Sequence, residues 1–296
     1  MPDLSERLLY PERTVDLGEL ASMWSDARVS AVIPGHAVLA NDVVLLRRIR
    51  GALGRELLRS ASPEAIAGIA CPWQPPCALD VLFREQGRVG ARGIPKPFVL
   101  AATRRNQDLI VSVTLFGFDV DWAPAVAHAL TAVLAHRIAW RDQRPGVFLP
   151  PARVGQVTTV GFEGIEPLTV RTEMALEFAT PMVDEDGDLL DRPAMILTRL
   201  AWRIAALAPW QGVEFVDHEG RLRAEIDGLS CDVTRLRLHT VPRRSGRAGR
   251  RFEVPTLVGA LGIVDPTPGL GLLLAIGQRT HVGKGIVEGF GRYVVG

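Results

Sequence analysis

The sequence predicts an α+β protein built from two tandem ferredoxin-like (βαββαβ) domains, on three observations. Its 296 residues are 47% hydrophobic and 23% charged, which suffices for two ordinary cores. The order strand, helix, two strands, helix, strand is complete once by about Val160 and is repeated from Leu168 to Val295. Turn residues from Gly161 to Pro167 separate the two copies. The expected division is residues 1–160, with a Cys/Pro-rich insertion, and residues 161–296, with a glycine-rich loop.

Each element follows from a local pattern. Arg28 to Ile33 is a β-prone run that stops at the turn Pro34-Gly35. Asn41 and Asp42 are good N-caps for a helix in which Leu46, Ile49, Leu53 and Leu57 recur at three- and four-residue spacing through about Arg59. Gly51 and Gly54 flank that stripe, and each costs about 1 kcal/mol relative to alanine, so a strand or a ligand backbone is expected to approach there closely. Ala61 to Pro97 reads as irregular, with a short helix near Ala78 to Glu85. Phe98 to Ala102 and Leu109 to Phe118 read as strands, Ala123 to Ala139 as an alanine-rich helix, and Gly146 to Val160 as strand again.

In the second half, Val170, Thr172, Met174, Leu176 and Phe178 alternate with Thr169, Arg171, Glu173, Ala175 and Glu177, giving a strand from Leu168 to Thr180. Arg192 to Leu207 is a helix with Ile196, Leu200, Ile204 and Leu207 on one face and Pro193 at a permitted early position. Cys231 to Val241 and Val254 to Val264 form a strand pair, and Gly271 to Ala275 with the strand Arg292 to Val295 close the domain. The duplication is one of topology, since no residue-by-residue repeat is visible.

Composition excludes several function classes. No stretch approaches about 18 consecutive apolar residues and the N-terminus is charged from its third residue, so neither a membrane span nor a secretory signal fits and a cytoplasmic location is expected. Cys71, Cys77 and Cys231 are too few for a disulfide framework. The CPWQPPC spacing is wider than a zinc knuckle, and no second pair completes four ligands, so Cys71 and Cys77 are expected in a loop with buried thiols. The formal net charge is only +1, but Lys96 and Lys284 are the sole lysines, so nearly all of the 34 basic residues are arginines. Arginine offers a planar fork for phosphate and a face that stacks on bases; a GC-rich genome explains the bias equally well.

The arginines cluster. Arg47, Arg48, Arg50, Arg55 and Arg59 share one segment; Arg243, Arg244, Arg247, Arg250 and Arg251 share another, with Gly246 and Gly249 among them. The second cluster reads either as a solvated turn or as a mobile arginine loop that orders on phosphate. The most specific feature is HVGKGIVEGFGRYVV, from His281 to Val295, in which Gly283, Gly285, Gly289 and Gly291 let the backbone approach a ligand and offer N–H groups to phosphate oxygens. A nucleotide-hydrolase phosphate loop needs Ser or Thr after Gly-Lys and a long helix beyond, and neither is present. A dinucleotide fingerprint fails because its third glycine would be one residue late and no βαβ unit follows. A glycine-rich turn without a ligand is the plain alternative.

This G-x-G-x-x-x-G-x-G-[RK]-[YF] ending resembles the glycine-rich loop of RAMP-superfamily CRISPR proteins, and HVGKGIVEGFGRY is similar to the ending of their repeat-processing endoribonucleases. RRSGRAGRRFEVPTLVGALGIV, IRGALGRELLR, CPWQPPCALDVLF and PKPFVL are similar to further segments of those enzymes, so the resemblance touches both halves. It implies binding of CRISPR repeat or guide RNA, handover to other effector subunits, and cleavage without a metal or other cofactor. The implied chemistry is attack of the ribose 2′-hydroxyl on the adjacent phosphate, leaving a 2′,3′-cyclic phosphate and a 5′-hydroxyl. That needs a base, an acid and cations around the phosphorane. His36, in the turn where many members place a histidine, is the candidate base, with Arg47 and Arg50 reaching the same phosphate; an ordinary exposed turn histidine is the alternative. His281, Gly283, Lys284, Gly285, Gly289 and Gly291, with Arg243, Arg244, Arg247, Arg250 and Arg251, are the expected RNA contacts, His281 positioning RNA or packing. His128, His136 and His218 read as structural. A non-cleaving subunit that holds guide RNA in an effector complex is the other function the resemblance allows.

Overall fold

The computed structural model describes residues 4–89, 92–141, 149–244 and 251–296. The first half contains β1 (Ser25–Ile33), α1 (Val43–Leu57), β2 (Phe98–Arg105), β3 (Asp108–Phe116), α2 (Ala123–His136) and β4 (Val157–Glu163). Its antiparallel sheet has the order β2-β3-β1-β4, so the two strands flanking α1 in sequence are separated by β3, as the βαββαβ topology requires. The second half repeats this with β5 (Glu173–Val183), α3 (Ala194–Leu207), β6 (Leu236–Arg244), β7 (Arg251–Val264), α4 (Pro268–Thr280) and β8 (Tyr293–Val295), in the order β6-β7-β5-β8. The tandem ferredoxin-like architecture is thus present in both halves. No helix among the described residues is long and apolar enough to cross a membrane.

Periodicity places the helices. Asp42 caps α1, its carboxylate accepting the N–H groups of Val44 and Leu45 at 2.8 and 3.1 Å. Leu46, Ile49, Leu53 and Leu57 are buried under the sheet. Asn41 is no cap: it takes a left-handed conformation, φ 62°, and its N–H binds the Ala102 carbonyl. Thr267 caps α4, accepting from Leu270 N–H at 3.3 Å, and Gly271 to Ala275 lie inside that helix. The flank of α1 is approached as its glycines require: a methyl on Gly54 would sit 3.0 Å from the Phe83 ring, whereas Gly51 has only the tip of Arg55 near it.

Two features differ from the division expected at residues 160 and 161. β4 runs through it to Glu163, paired with β1 along its length. The N-terminal segment also lies with the other half: Leu8, Val15, Leu20 and Trp24 pack in the core formed by α3, α4 and β5, and Thr14–Val15 pairs in parallel with Glu214–Phe215. An apolar stripe specifies that a helix needs a cover and not which half supplies it.

The glycine loop, residues 281–292, joins α4 to β8. All four glycines have positive φ, and Gly285 and Gly289 bracket a single 3-10 turn, Ile286–Glu288. Gly291 accepts from the Val282 N–H at 3.0 Å through its carbonyl and donates to Pro181 O at 2.9 Å. A methyl on Gly289 would overlap the buried Leu46 of α1, and one on Gly291 would overlap the backbone carbonyl of Val282. The loop therefore lies directly against the first half, where Val43, Val183, Val241, Val254 and Phe290 form a small core across the seam.

Candidate functional site

The seam between α1, the glycine loop and the β6 end gathers charge. Arg47 stands on α1 with Nη1 donating to Pro242 O at 3.0 Å and Nε 3.3 Å from Glu288 of the glycine loop. Arg243, on β6, donates to the other oxygen of Glu288 at 3.0 Å. One α1 turn on, Arg50 lies over the Phe83 ring, 5.0 Å from its centroid, and its buried Nε has no hydrogen-bond partner among the described residues. Lys96 donates to the Phe83 carbonyl at 2.8 Å. Three arginines thus gather around Glu288, with Lys96 beside Arg50 at the Phe83 carbonyl.

The electrostatics show an excess of positive charge. Burial lowers the pKa of Arg47, Arg50 and Lys96. Glu288 offsets this for Arg47 and Arg50 and Glu85 for Lys96, whereas Arg243 opposes the two arginines and Arg50 opposes Lys96. Three arginines that share a single carboxylate leave donor capacity for another anion.

A second basic surface lies between the halves, a cleft of about 310 Å³. Ser30, Ser112 and Thr114 of the first sheet form one wall, and Arg279, His281 and Arg292 the other. Arg28 projects into it from β1. Asp26, desolvated and with its pKa raised, binds Arg279 through both oxygens at 3.1 Å. Arg292 donates to Asn41 Oδ1 at 3.0 Å. Burial lowers the pKa of Arg28 and Arg292, helped by repulsion from Arg279 at Arg28 and from Arg28 at Arg292.

The residues expected from the sequence fall into three groups. Arg47, Arg50 and Arg243 meet around Glu288. Lys284 is exposed and ion-paired with Glu185, and Gly283 and Gly285 are half-buried, whereas Gly289 and Gly291 are buried against protein. The picture of four ligand-facing glycines is corrected for the latter two: their missing side chains admit Leu46 and the Val282 carbonyl. β6 and β7 pair as far as Arg244 and Arg251, and Arg247 and Arg250 lie outside the described residues.

The two candidate histidines, His36 and His281, are both enclosed. His36 is only 3% exposed, with Nδ1 2.8 Å from Pro34 O, Nε2 3.1 Å from Pro150 O and its ring edge-on to Trp140. It is not the exposed turn residue that Pro34-Gly35-His36 suggests, because the chain at Trp140 and Pro150 closes over it. His281 is buried as well, with Nδ1 unpartnered among the described residues. Burial and then the charges of Arg203 and Arg292 push its pKa down to about 3, so the ring is neutral.

Sequence reasoning missed Glu288, Lys96, Arg28, Arg279 and Arg292. Glu288 could have been found as the sole acid of the glycine loop, and Lys96 as one of two lysines in the chain. Nothing local marks Arg28 or Arg279, whose roles come from the apposition of the two halves.

The fold matches solved structures over nearly the whole chain. The product complex of Cas6 (TTHB231) from Thermus thermophilus is 18% identical with TM-score 0.53, covering 91% of this chain and 99% of that one. This chain has the Cas6 fold. A second Cas6 product complex (TTHA0078) is 20% identical with TM-score 0.52, covering 92% and 99%. Its substrate mimic complex is 19% identical with TM-score 0.50 and covers the same shares. At these identities the likeness to Cas6 is one of fold. The family model AF_1859_N, described as an N-terminal domain, matches residues 47–151, from α1 to the chain before β4. No curated protein matches the sequence.

Proposed function

We propose that this chain is a CRISPR RNA-processing endoribonuclease that lays repeat RNA along the seam and cuts it. The observation that carries the reading is the cation group Arg47, Arg50, Lys96 and Arg243, held where the glycine loop meets α1. Similar Cas6 structures include product and substrate-mimic complexes, which supports a nucleic-acid ligand for this fold.

In the proposed reaction the ribose 2′-hydroxyl loses its proton to His36 and its oxygen forms a bond to the adjacent phosphorus. The bond from phosphorus to the 5′-oxygen breaks, and that oxygen takes up a proton, leaving a 2′,3′-cyclic phosphate and a 5′-hydroxyl. Arg47 and Arg50 stabilise the charge that builds on the phosphorane. For His36 to act, Nε2 has to exchange the Pro150 carbonyl for the 2′-hydroxyl, so the segment covering it moves when RNA binds.

That enclosure also favours a second reading, a non-cleaving subunit that holds guide RNA among other effector subunits. The two are separated by incubating purified protein with its cognate repeat RNA in EDTA and repeating with His36→Ala. The enzyme reading expects cleavage by the wild type and binding without cleavage by the variant. Binding without cleavage by both establishes the holding subunit, and cleavage at full rate by the variant removes His36 from the site.

A further inference from the structure

The sequence CPWQPPC brings together two thiols that the proposed chemistry does not use. The Cys77 N–H donates to Cys71 Sγ at 3.3 Å, and the two thiols hydrogen-bond each other. Pro72, Pro75 and Pro76 restrict the intervening backbone. The loop is fastened at both ends: the Cys71 N–H donates to Asp80 Oδ1 at 3.2 Å, and Trp122 Nε1–H to Pro76 O at 2.8 Å. The reduced pair is therefore held side by side, with little chain entropy left to lose on closure.

We propose that Cys71 and Cys77 are an oxidative modification site, converted to a disulfide by a peroxide-class oxidant, and that this bond loosens the hold of Phe83 on the seam cations Arg50 and Lys96. Cys71 is the half-exposed member and Cys77 the buried one, which fits an attacking and a resolving thiol. Burial raises the pKa of both; hydrogen bonds from Ser62, Cys77 and Trp73 outweigh it at Cys71, which ends lowered, whereas Cys77 ends raised. Cys71 thiolate attacks one peroxide oxygen, forming the sulfenic acid and releasing hydroxide or alkoxide. The Cys77 sulfur then displaces water from the sulfenic sulfur, so two thiols and one peroxide give one disulfide, one water and one water or alcohol.

The route to the seam is short. Cys77 is the residue before the helix Ala78–Phe83, and drawing its sulfur onto Cys71 shifts the start of that helix. Phe83 ends the same helix; Arg50 lies over its ring and Lys96 binds its carbonyl. A helix of six residues moves as one body, so displacement at Cys77 reaches both contacts.

The test uses the full chain and has a readout that does not involve RNA. Protein treated with hydrogen peroxide is alkylated and mapped by peptide mass spectrometry for a Cys71–Cys77 link, then exposed to an amine-acylating reagent. Lys284 serves as internal reference, being the only other lysine. The expected result is a linked pair and a rise of roughly threefold in the rate of Lys96 acylation relative to Lys284, the scale of one modest hydrogen bond lost. The rise should vanish in Cys71→Ser and persist in Cys231→Ser. Absence of the link, or a link that leaves the acylation ratio unchanged, overturns the proposal. Weaker repeat-RNA binding by the oxidised form is also expected, and that part alone rests on the RNA reading. If reduced wild-type protein fails to bind RNA, the RNA reading fails while the acylation result still decides the redox site.

Discussion

Glu288→Gln is the substitution on which the seam's role as an anion site can be judged. Glu288 offers one oxygen to Arg47 Nε at 3.3 Å and the other to Arg243 Nη2 at 3.0 Å. A phosphate that docks there competes with the carboxylate for the same donors. The Arg47 and Glu288 side chains are each 17% exposed, so their attraction is only partly screened, while Arg243 is 39% exposed and its pairing counts for less. Net of desolvation, the first contact is worth about 1 kcal/mol and the second a fraction of that. Replacing the carboxylate by an amide should therefore tighten repeat-RNA binding about five- to tenfold at low salt. Two freed cations should also steepen the dependence of log K on log salt by about 0.7 to 1.4 for a single strand. Fluorescence anisotropy of labelled repeat RNA across a salt series measures both, and a thermal melt confirms that the variant is folded. Equal or weaker binding by the folded variant, or an unchanged salt slope, would refute the reasoning and make Glu288 a residue that aligns the arginines instead of competing for them.

Three further outcomes are expected. Gly289→Ala should lower stability by about 2 to 4 kcal/mol in chemical denaturation, from backbone strain at φ 88° plus overlap with Leu46; Gly161→Ala, where the added methyl meets nothing within 4 Å, should leave it unchanged. His281 stays neutral in the fold down to about pH 3 whereas the unfolded chain protonates near 6.5. Its contribution is thus complete above pH 6.5 and lost as the pH falls towards 3, and His281→Gln should flatten that limb of a stability-against-pH curve. Asp119 is fully enclosed with both oxygens unpartnered among the described residues, and burial, then Asp121, pushes its pKa well above 3.8. The neutral acid's contribution is present below that value and lost as pH rises, so Asp119→Asn should raise the melting temperature in mildly alkaline buffer and less so in acid.

The fold was legible because its information is local. Alternation in β5, the Leu46-Ile49-Leu53-Leu57 stripe of α1 and the Asp42 cap each specify an element from neighbours in sequence, and the order of the elements then fixes the sheet. Element ends were less legible. Leu168 to Thr172 reads as part of the strand, yet β5 begins at Glu173 and extends to Val183, because pairing with β7 and β8 sets its limits. The destination of the first 24 residues was not legible at all. Leu8, Val15, Leu20 and Trp24 carry an apolar face, and the hydrophobic effect that buries it is non-directional.

The site divides along the same line. A glycine at positive φ admits close approach by anything, and the motif cannot distinguish an RNA strand from Leu46, which lies 243 residues earlier. The glycines do both: the inner pair seats the loop on α1, and the seating brings Glu288 between Arg47 and Arg243. If Gly289 were enlarged, the loop would lift from α1 and the carboxylate would leave the arginines. The effect on RNA should then follow the loop's displacement and not the loss of any contact to the glycine itself. Pairing Gly289→Ala with Leu46→Ala separates the two, since removing the obstructing side chain should restore the seam's RNA affinity only if packing is what the glycine serves.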